Sequence, residues 1–160
     1  MKRVLVFSDS HGNKQGVDRL MERIDEFDKV IFLGDGWRDV EDYQAIYPSK
    51  FEVVRGNCDD RWSCDMPDHL VLSIEGVRFY VLHGHTCAAK SRTDLMCAAA
   101  TVAECSVVLY GHTHRAKDEY GAYAVRLINP GHLGQPESSA SWAELTVANG
   151  EIFAKFQNFA

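Results

Sequence analysis

Asp9 and His11 stand two residues apart in the stretch Phe7-Ser8-Asp9-Ser10-His11-Gly12-Asn13, directly after the apolar run Val4-Leu5-Val6-Phe7. In extended chain, side chains at i and i+2 point to the same side, so this carboxylate and this imidazole can grip one cation between them. Alone the pair carries little weight, because Asp and His are common in loops. The arrangement recurs, however. Four further apolar runs end in Gly-containing turns that bear Asp, Asn or His: Gly34-Asp35-Gly36, Arg55-Gly56-Asn57-Cys58-Asp59, His83-Gly84-His85 and Gly111-His112-Thr113-His114.

In layered α/β folds, ligand sites gather at the carboxyl ends of strands. Oxygen and nitrogen donors delivered there by Asp9, His11, Asp35, Asn57, His83, His112 and His114 suit two divalent cations. Asp9, His11 and His114 would hold one, and Asn57, His83 and His112 the other, with Asp35 bridging. A donor set of carboxylate, amide and imidazole without thiolate suits Mn²⁺, Fe²⁺, Zn²⁺, Ni²⁺ or Co²⁺ better than Ca²⁺; Mn²⁺ is the first expectation. Two such ions roughly 3.5–4 Å apart can hold a bridging hydroxide near neutral pH and clamp a phosphoryl group for in-line attack. The neutral Asn57 makes the second site less anionic, so an anionic substrate is repelled less. Asp35, Asn57 and His83 are therefore expected at the reacting centre as well as on the metals.

These residues need strands to place them. Apolar runs predict strands over 4–7, 29–33, 51–54 and 107–110, and a hairpin of 70–74 with 77–82 about Glu75-Gly76. Apolar positions 17, 20, 21, 24 and 27 predict one helix from Lys14 to Phe27, capped by Asn13. A short helix is expected from Asp39 to Tyr47, stopped by Pro48, and an Ala-rich one from Ser91 to Ala103. Residues 60–69, with Trp62 and Pro67, read as a loop. Tyr120 to Ile128 reads as one strand and Asn129-Pro130-Gly131 as a turn. Asn149-Gly150 predicts a closing hairpin, which either completes a second sheet or meets a partner subunit; homo-oligomerisation is thus one expectation.

A chain of 160 residues fits one domain, 1–160, and its 46% apolar and 25% charged content is that of a globular protein. No apolar run approaches the roughly 18 residues that span a bilayer, so no membrane partner is expected. Met1-Lys2-Arg3 runs straight into a strand with no small-residue cleavage site, so no signal peptide is expected. The 5 cysteines form no CxxC pair, and reduced thiols in the cytoplasm are the simplest reading. A net charge of −6 argues against general nucleic-acid binding. It is compatible with one phosphate in a local pocket whose positive charge comes from metal.

SDSHGN, GDG, GNCD, HGH and GHTH, in this order, resemble the motifs of the calcineurin-like metallophosphoesterase superfamily. The length and the GNCD motif resemble its small bacterial and archaeal phosphodiesterases, and NPG at 129–131 extends the likeness. The resemblance implies an α/β fold, a four-layer αββα sandwich of two mixed sheets flanked by helices. It also implies a two-metal site assembled as above and hydrolysis of a small phosphoester, with a phosphodiester favoured. A monoester of a small phosphometabolite is the alternative within the enzyme class. A scaffold like the retromer subunit of the same superfold is the alternative outside it, and metal-dependent nucleotide sensing a third. Many members carry His after the Asn as proton donor to the leaving group. Here Cys58 takes that place, and Asp59 is the candidate stand-in. His132 follows NPG where small relatives usually carry Ser.

Plainer readings stand beside these. Asp35 and Asn57 can be simple turn residues, and His85 orients its neighbours, contacts phosphate or is structural. His69 reads as surface, and Cys97 and Cys105 as small core residues. Cys58 reads as a structural thiol. Arg55, Arg92 and Arg115 lie near motifs and could bind phosphate, but read by default as solvated or salt-bridged. Trp37 either lines the pocket or packs on its helix, and Tyr120 and Tyr123 read as strand packing.

Overall fold

The computed structural model describes residues 1–60 and 65–159. Trp62 and Cys64, assigned above to a loop and to the reduced thiols, lie outside the described residues.

Two five-stranded sheets form the centre of the molecule. The first runs β10 (Glu151–Asn158), β9 (Ser141–Ala148), β1 (Lys2–Phe7), β2 (Lys29–Phe32), β3 (Phe51–Val53). The second runs β4 (His69–Ile74), β5 (Val77–Leu82), β6 (Val107–Leu109), β8 (Arg126–Pro130), β7 (Ala116–Tyr120). Both sheets are mixed. β1, β2 and β3 are parallel, as are β5, β6 and β8, while β9, β10, β4 and β7 pair antiparallel. Helices α1 (Lys14–Met21) and α2 (Trp37–Ile46) follow β1 and β2, and α3 (Asp94–Val102) follows β5.

The alternation of side chains along each strand sorts them into three apolar layers. Val4, Val6, Ile31 and Leu33 meet Phe79, Val81, Leu109 and Ile128 between the sheets. Leu5, Phe7, Val30 and Phe32 face the other way, onto Val17, Leu20 and Val40 of α1 and α2. Val108 and Tyr110 face Met96, Cys97 and Ala100 of α3. Strands buried on both faces need apolar residues at every position, which is why β1 and β2 read as unbroken runs. The result is the expected αββα sandwich.

Four local expectations are corrected. The helix foreseen over 14–27 ends at Met21, and Ile24–Glu26 form a separate 3₁₀ turn. The strand foreseen over 120–128 is two strands, β7 and β8, joined by a turn at Ala122–Ala124 where Tyr123 has φ of 59°. Tyr120 and Tyr123 consequently project into solvent rather than packing. The closing hairpin β9–β10 extends the first sheet, because β9 pairs with β1.

No helix among the described residues is long and apolar enough to cross a membrane.

Candidate metal centre

The parallel strands β1, β2, β3, β5 and β6 end at one edge of the sandwich, and the turns that follow them converge. Five of the residues singled out there adopt the left-handed region that L side chains rarely enter: Asp9 (φ 54°), His11 (45°), Asp35 (61°), His112 (68°) and His114 (63°). Each such conformation costs on the order of 1 kcal/mol and clusters at functional sites. Two glycines allow the turns to close on one another. A Cβ on Gly56 would sit 2.1 Å from Asp35 Oδ1, and one on Gly111 would sit 2.1 Å from Ser8 Oγ and 2.8 Å from Asp9 Oδ2.

Three donor groups result, of which His11, Asp35 and the Cys58 thiol form one that lies between the other two. Asp9, His11 and His114 each offer one ligand atom within 4.8 Å of the others, and so do Asp35, His83 and His112. In the first, Asp9 Oδ1 lies 3.3 Å from His11 Nε2 and 3.1 Å from His114 Nε2. The two imidazole nitrogens face each other at 3.3 Å. In the second, His83 Nε2 lies 3.2 Å from Asp35 Oδ2 and 3.1 Å from Asn57 Oδ1. Asp35 sits between the groups, since its Oδ2 is also 3.7 Å from His11 Nε2.

Two observations show that these residues fit a cation. Asp9 is fully buried, yet its Oδ1 has no hydrogen-bond partner among the described residues, an arrangement native proteins avoid. His83 Nδ1–H donates to the Leu33 carbonyl at 2.7 Å, which leaves Nε2 as the lone-pair nitrogen of the neutral ring. Three acceptor oxygens surround that Nε2, those of Asp35, Asn57 and, at 4.0 Å, Asp9. Only a proton or a metal ion on Nε2 reconciles them.

The electrostatics agree. Burial pushes Asp35 up, but its hydrogen bond to His83, the His83 charge and the Cys58 N–H outweigh that and bring its pKa down to about 2. Burial pushes His83 down, and the hydrogen bond to Asp35 with the charges of Asp9 and Asp35 raises it above its ordinary value. His112 is lowered by burial and by His83.

A set of polar residues holds the turns in place, and sequence reading passed over most of them. Asp59 is the clearest correction. Its Oδ2 accepts the N–H groups of Asp35 (2.9 Å) and Gly56 (2.8 Å), and its Oδ1 those of Gly36 (2.9 Å) and Trp37 (3.0 Å). A carboxylate accepting four N–H bonds at the start of α2 is a clamp on the Asp35 turn, not the proton donor expected of it. Asp39 Oδ2 accepts from Ser10 Oγ (2.6 Å) and Gly12 N (2.9 Å), fixing the His11 turn. The buried Asn129 donates from Nδ2 to Gly111 O and Thr113 Oγ1, both at 3.0 Å, fixing the His112–His114 turn. The NPG signal around Asn129 was visible in the sequence; its partner was not.

The remaining candidates fall as follows. Cys58 is exposed, its N–H donates to Asp35 Oδ1 at 2.7 Å, and burial and the Asp35 charge push its thiol up. His85 packs its ring 5.5 Å from that of His83. His132 donates to or accepts from Ser139 Oγ at 2.9 Å, with its ring 5.6 Å from His114. Arg55 pairs with Asp68 at 2.7 Å and Arg92 with Asp94 at 2.6 Å. Trp37 both packs on the outer core and lines a cleft beside Asp35. Cys97 and Cys105 are buried in the core, and His69 is exposed.

Comparison with known proteins gives the same picture. The model of the calcineurin-like phosphoesterase superfamily domain matches residues 1–150. A conserved protein of Streptococcus pneumoniae described as a predicted phosphoesterase superposes with a TM-score of 0.81 at 23% identity, covering 98% of this chain and 89% of that one. Vps29 of Chaetomium thermophilum superposes at 0.76 with 17% identity, covering 98% and 96%. A protein described as a novel archaeal phosphodiesterase superposes at 0.74 with 20% identity, covering 97% and 99%. No curated protein sequence matches.

Proposed function

The chain belongs to the calcineurin-like phosphoesterase superfamily, and from that premise we propose that it is a phosphodiesterase that works with two divalent metal ions. The observation that carries this reading is the meeting of the Asp9–His11–His114 and Asp35–His83–His112 groups at one edge, with a partnerless buried oxygen on Asp9. Asp9, His11 and His114 hold one ion; Asn57, His83 and His112 hold the other; Asp35 serves both. Mn²⁺ suits these oxygen and nitrogen donors, as do Fe²⁺, Zn²⁺, Ni²⁺ and Co²⁺. When bound, the ions activate water at neutral pH and polarise the phosphoryl oxygens.

The chain supplies the rest. The Leu33 carbonyl fixes the His83 ring so that Nε2 faces the site, as orienting partners of metal-binding histidines do. Asp59, Asp39 and Asn129 hold the three ligand turns. No imidazole follows Asn57, and the raised Cys58 thiol is a weak acid. The leaving group therefore departs with little proton transfer from the protein, which favours diesters and good leaving groups over unactivated alkyl monoesters.

The test is hydrolysis by protein stripped of metal and reloaded with Mn²⁺, using bis-p-nitrophenyl phosphate and p-nitrophenyl phosphate. Metal-dependent turnover is expected, faster on the diester and abolished in Asp35→Asn. Folded, metal-binding protein that turns over neither ester would point instead to a scaffold or a sensor. A monoester preference would move the reading to a phosphomonoesterase.

A further inference from the structure

A cavity of about 280 Å³ opens beside the His112–His114 turn, lined by Ala89, Lys90, Thr93, Tyr110, Thr113, Arg115 and Lys117. Three of these side chains are cationic in a chain whose net charge is −6. Lys117 lies 3.5 Å from Glu119. Lys90 and Arg115 have no carboxylate partner among the described residues. Thr113 and Arg115 alternate with His112 and His114 along the turn, and Lys90 is close enough for its charge to act on His112. The cavity therefore adjoins the metal centre.

The other flank of the centre has the opposite character. The cleft on that side is lined by Asp35, Asp39, Asp59 and Asp60 against the single cation Arg38, with Trp37 as its aromatic wall. Asp35, Asp39 and Asp59 are committed there to the donor groups and the turn clamps, while Lys90 and Arg115, unpaired among the described residues, lie in the Lys90–Arg115–Lys117 cavity.

We propose that the Lys90–Arg115–Lys117 cavity is a subsite for a second phosphate, so that the preferred substrates are phosphodiesters carrying a further terminal phosphate. The inference rests on the phosphoesterase reading and names the substrate class of that site. The second phosphate is remote from the reacting bond, so it binds equally in ground and transition states, and its contribution falls on KM rather than kcat.

The test uses two pairs of dinucleotides on Mn²⁺-reloaded protein, one pair differing only in a 5′-terminal phosphate and the other only in a 3′-terminal phosphate. At least one phosphorylated member is expected to show kcat/KM about tenfold or more above its partner, through KM, with the ratio shrinking as salt rises. In the combined variant Lys90→Ala, Arg115→Ala, Lys117→Ala that ratio falls to about one. The ratio is internal to each protein, so a general loss of activity does not mimic it. Absence of preference in both pairs, or a preference that survives in the variant, overturns the proposal. If neither pair is hydrolysed, turnover of bis-p-nitrophenyl phosphate still decides the phosphodiesterase reading, and calorimetric binding of the same pairs decides the subsite. Tighter binding of a phosphorylated member, lost in the variant, supports it, and equal binding overturns it.

Discussion

The two halves of the metal centre are built differently. In the half made by Asp35, His83 and His112, the His83 and Asp35 side chains are 0% and 3% exposed. In the half made by Asp9, His11 and His114, the two imidazoles are 34% and 47% exposed and only the carboxylate is buried. The buried half is part of the fold: His83 is tied to Leu33 and Asp35 to Cys58 and the Asp59 clamp. The exposed half is assembled from turns, with His11 and His114 open to solvent. On the proposed two-ion reading, the buried half would tie metal binding to the fold and the exposed half would not.

The largest expected effect comes from breaking the buried half. His83→Ala removes the partner of a buried carboxylate, which costs about 3 kcal/mol, and should lower the Tm of metal-free protein sharply as well as abolish activity. Calorimetry of the variant measures this, and an unchanged Tm would erase the distinction between the halves. Asp59→Ala orphans four N–H groups at the Asp35 turn, a loss of about 2 kcal/mol, and should weaken metal binding about 10- to 100-fold, as loss of an orienting partner does. Metal titration and denaturant unfolding on the same sample separate the two losses.

His11→Ala, in the exposed half, should leave the stability of metal-free protein within about 0.5 kcal/mol of its parent while reducing Mn²⁺ stoichiometry from two to one. If both ions are lost together, the halves are one cooperative site.

The smallest effect is a pH profile. Asp35, ordinarily near 3.8, is lowered to about 2, so its contribution is present above about 3.8 and fades as pH falls through about 2. His83 is raised above its ordinary 6.5, so its contribution is present below 6.5 and fades as pH rises through that elevated value. These are two ends of one interaction, complete between about pH 4 and 6.5. Metal-free protein should melt highest in that window. Metal should flatten the alkaline side, because the ion replaces the proton on His83; a decline that persists with metal bound would place the ion elsewhere.

Much of this was legible in the chain. Apolar runs ending in Gly-flanked Asp, Asn or His identify both the strands and the candidate ligands, because strand burial and turn chemistry are properties of short segments. The split of 120–128 was not legible, since Gly121 is the one turn residue there and the positive-φ positions are Tyr123 and Ala124, not glycine or asparagine. Nor was the sheet that β9 and β10 join, since their alternation serves either sheet and only pairing with β1 decides it. Asp59 shows the same limit within the site. Its residue type suggested proton transfer, and its four N–H partners made it a clamp.

The sequence by itself determined which residue types stand at the strand ends, and with them the class of chemistry. Only the tertiary structure decided which donors meet, which half is dry, and where Lys90 joins Arg115 and Lys117. The physical reason is range. Periodicity and turn propensity act over a few residues. Hydrogen bonds, ion sites and charged cavities are closed by groups such as Asp9 and His112, 103 positions apart, which only packing brings together.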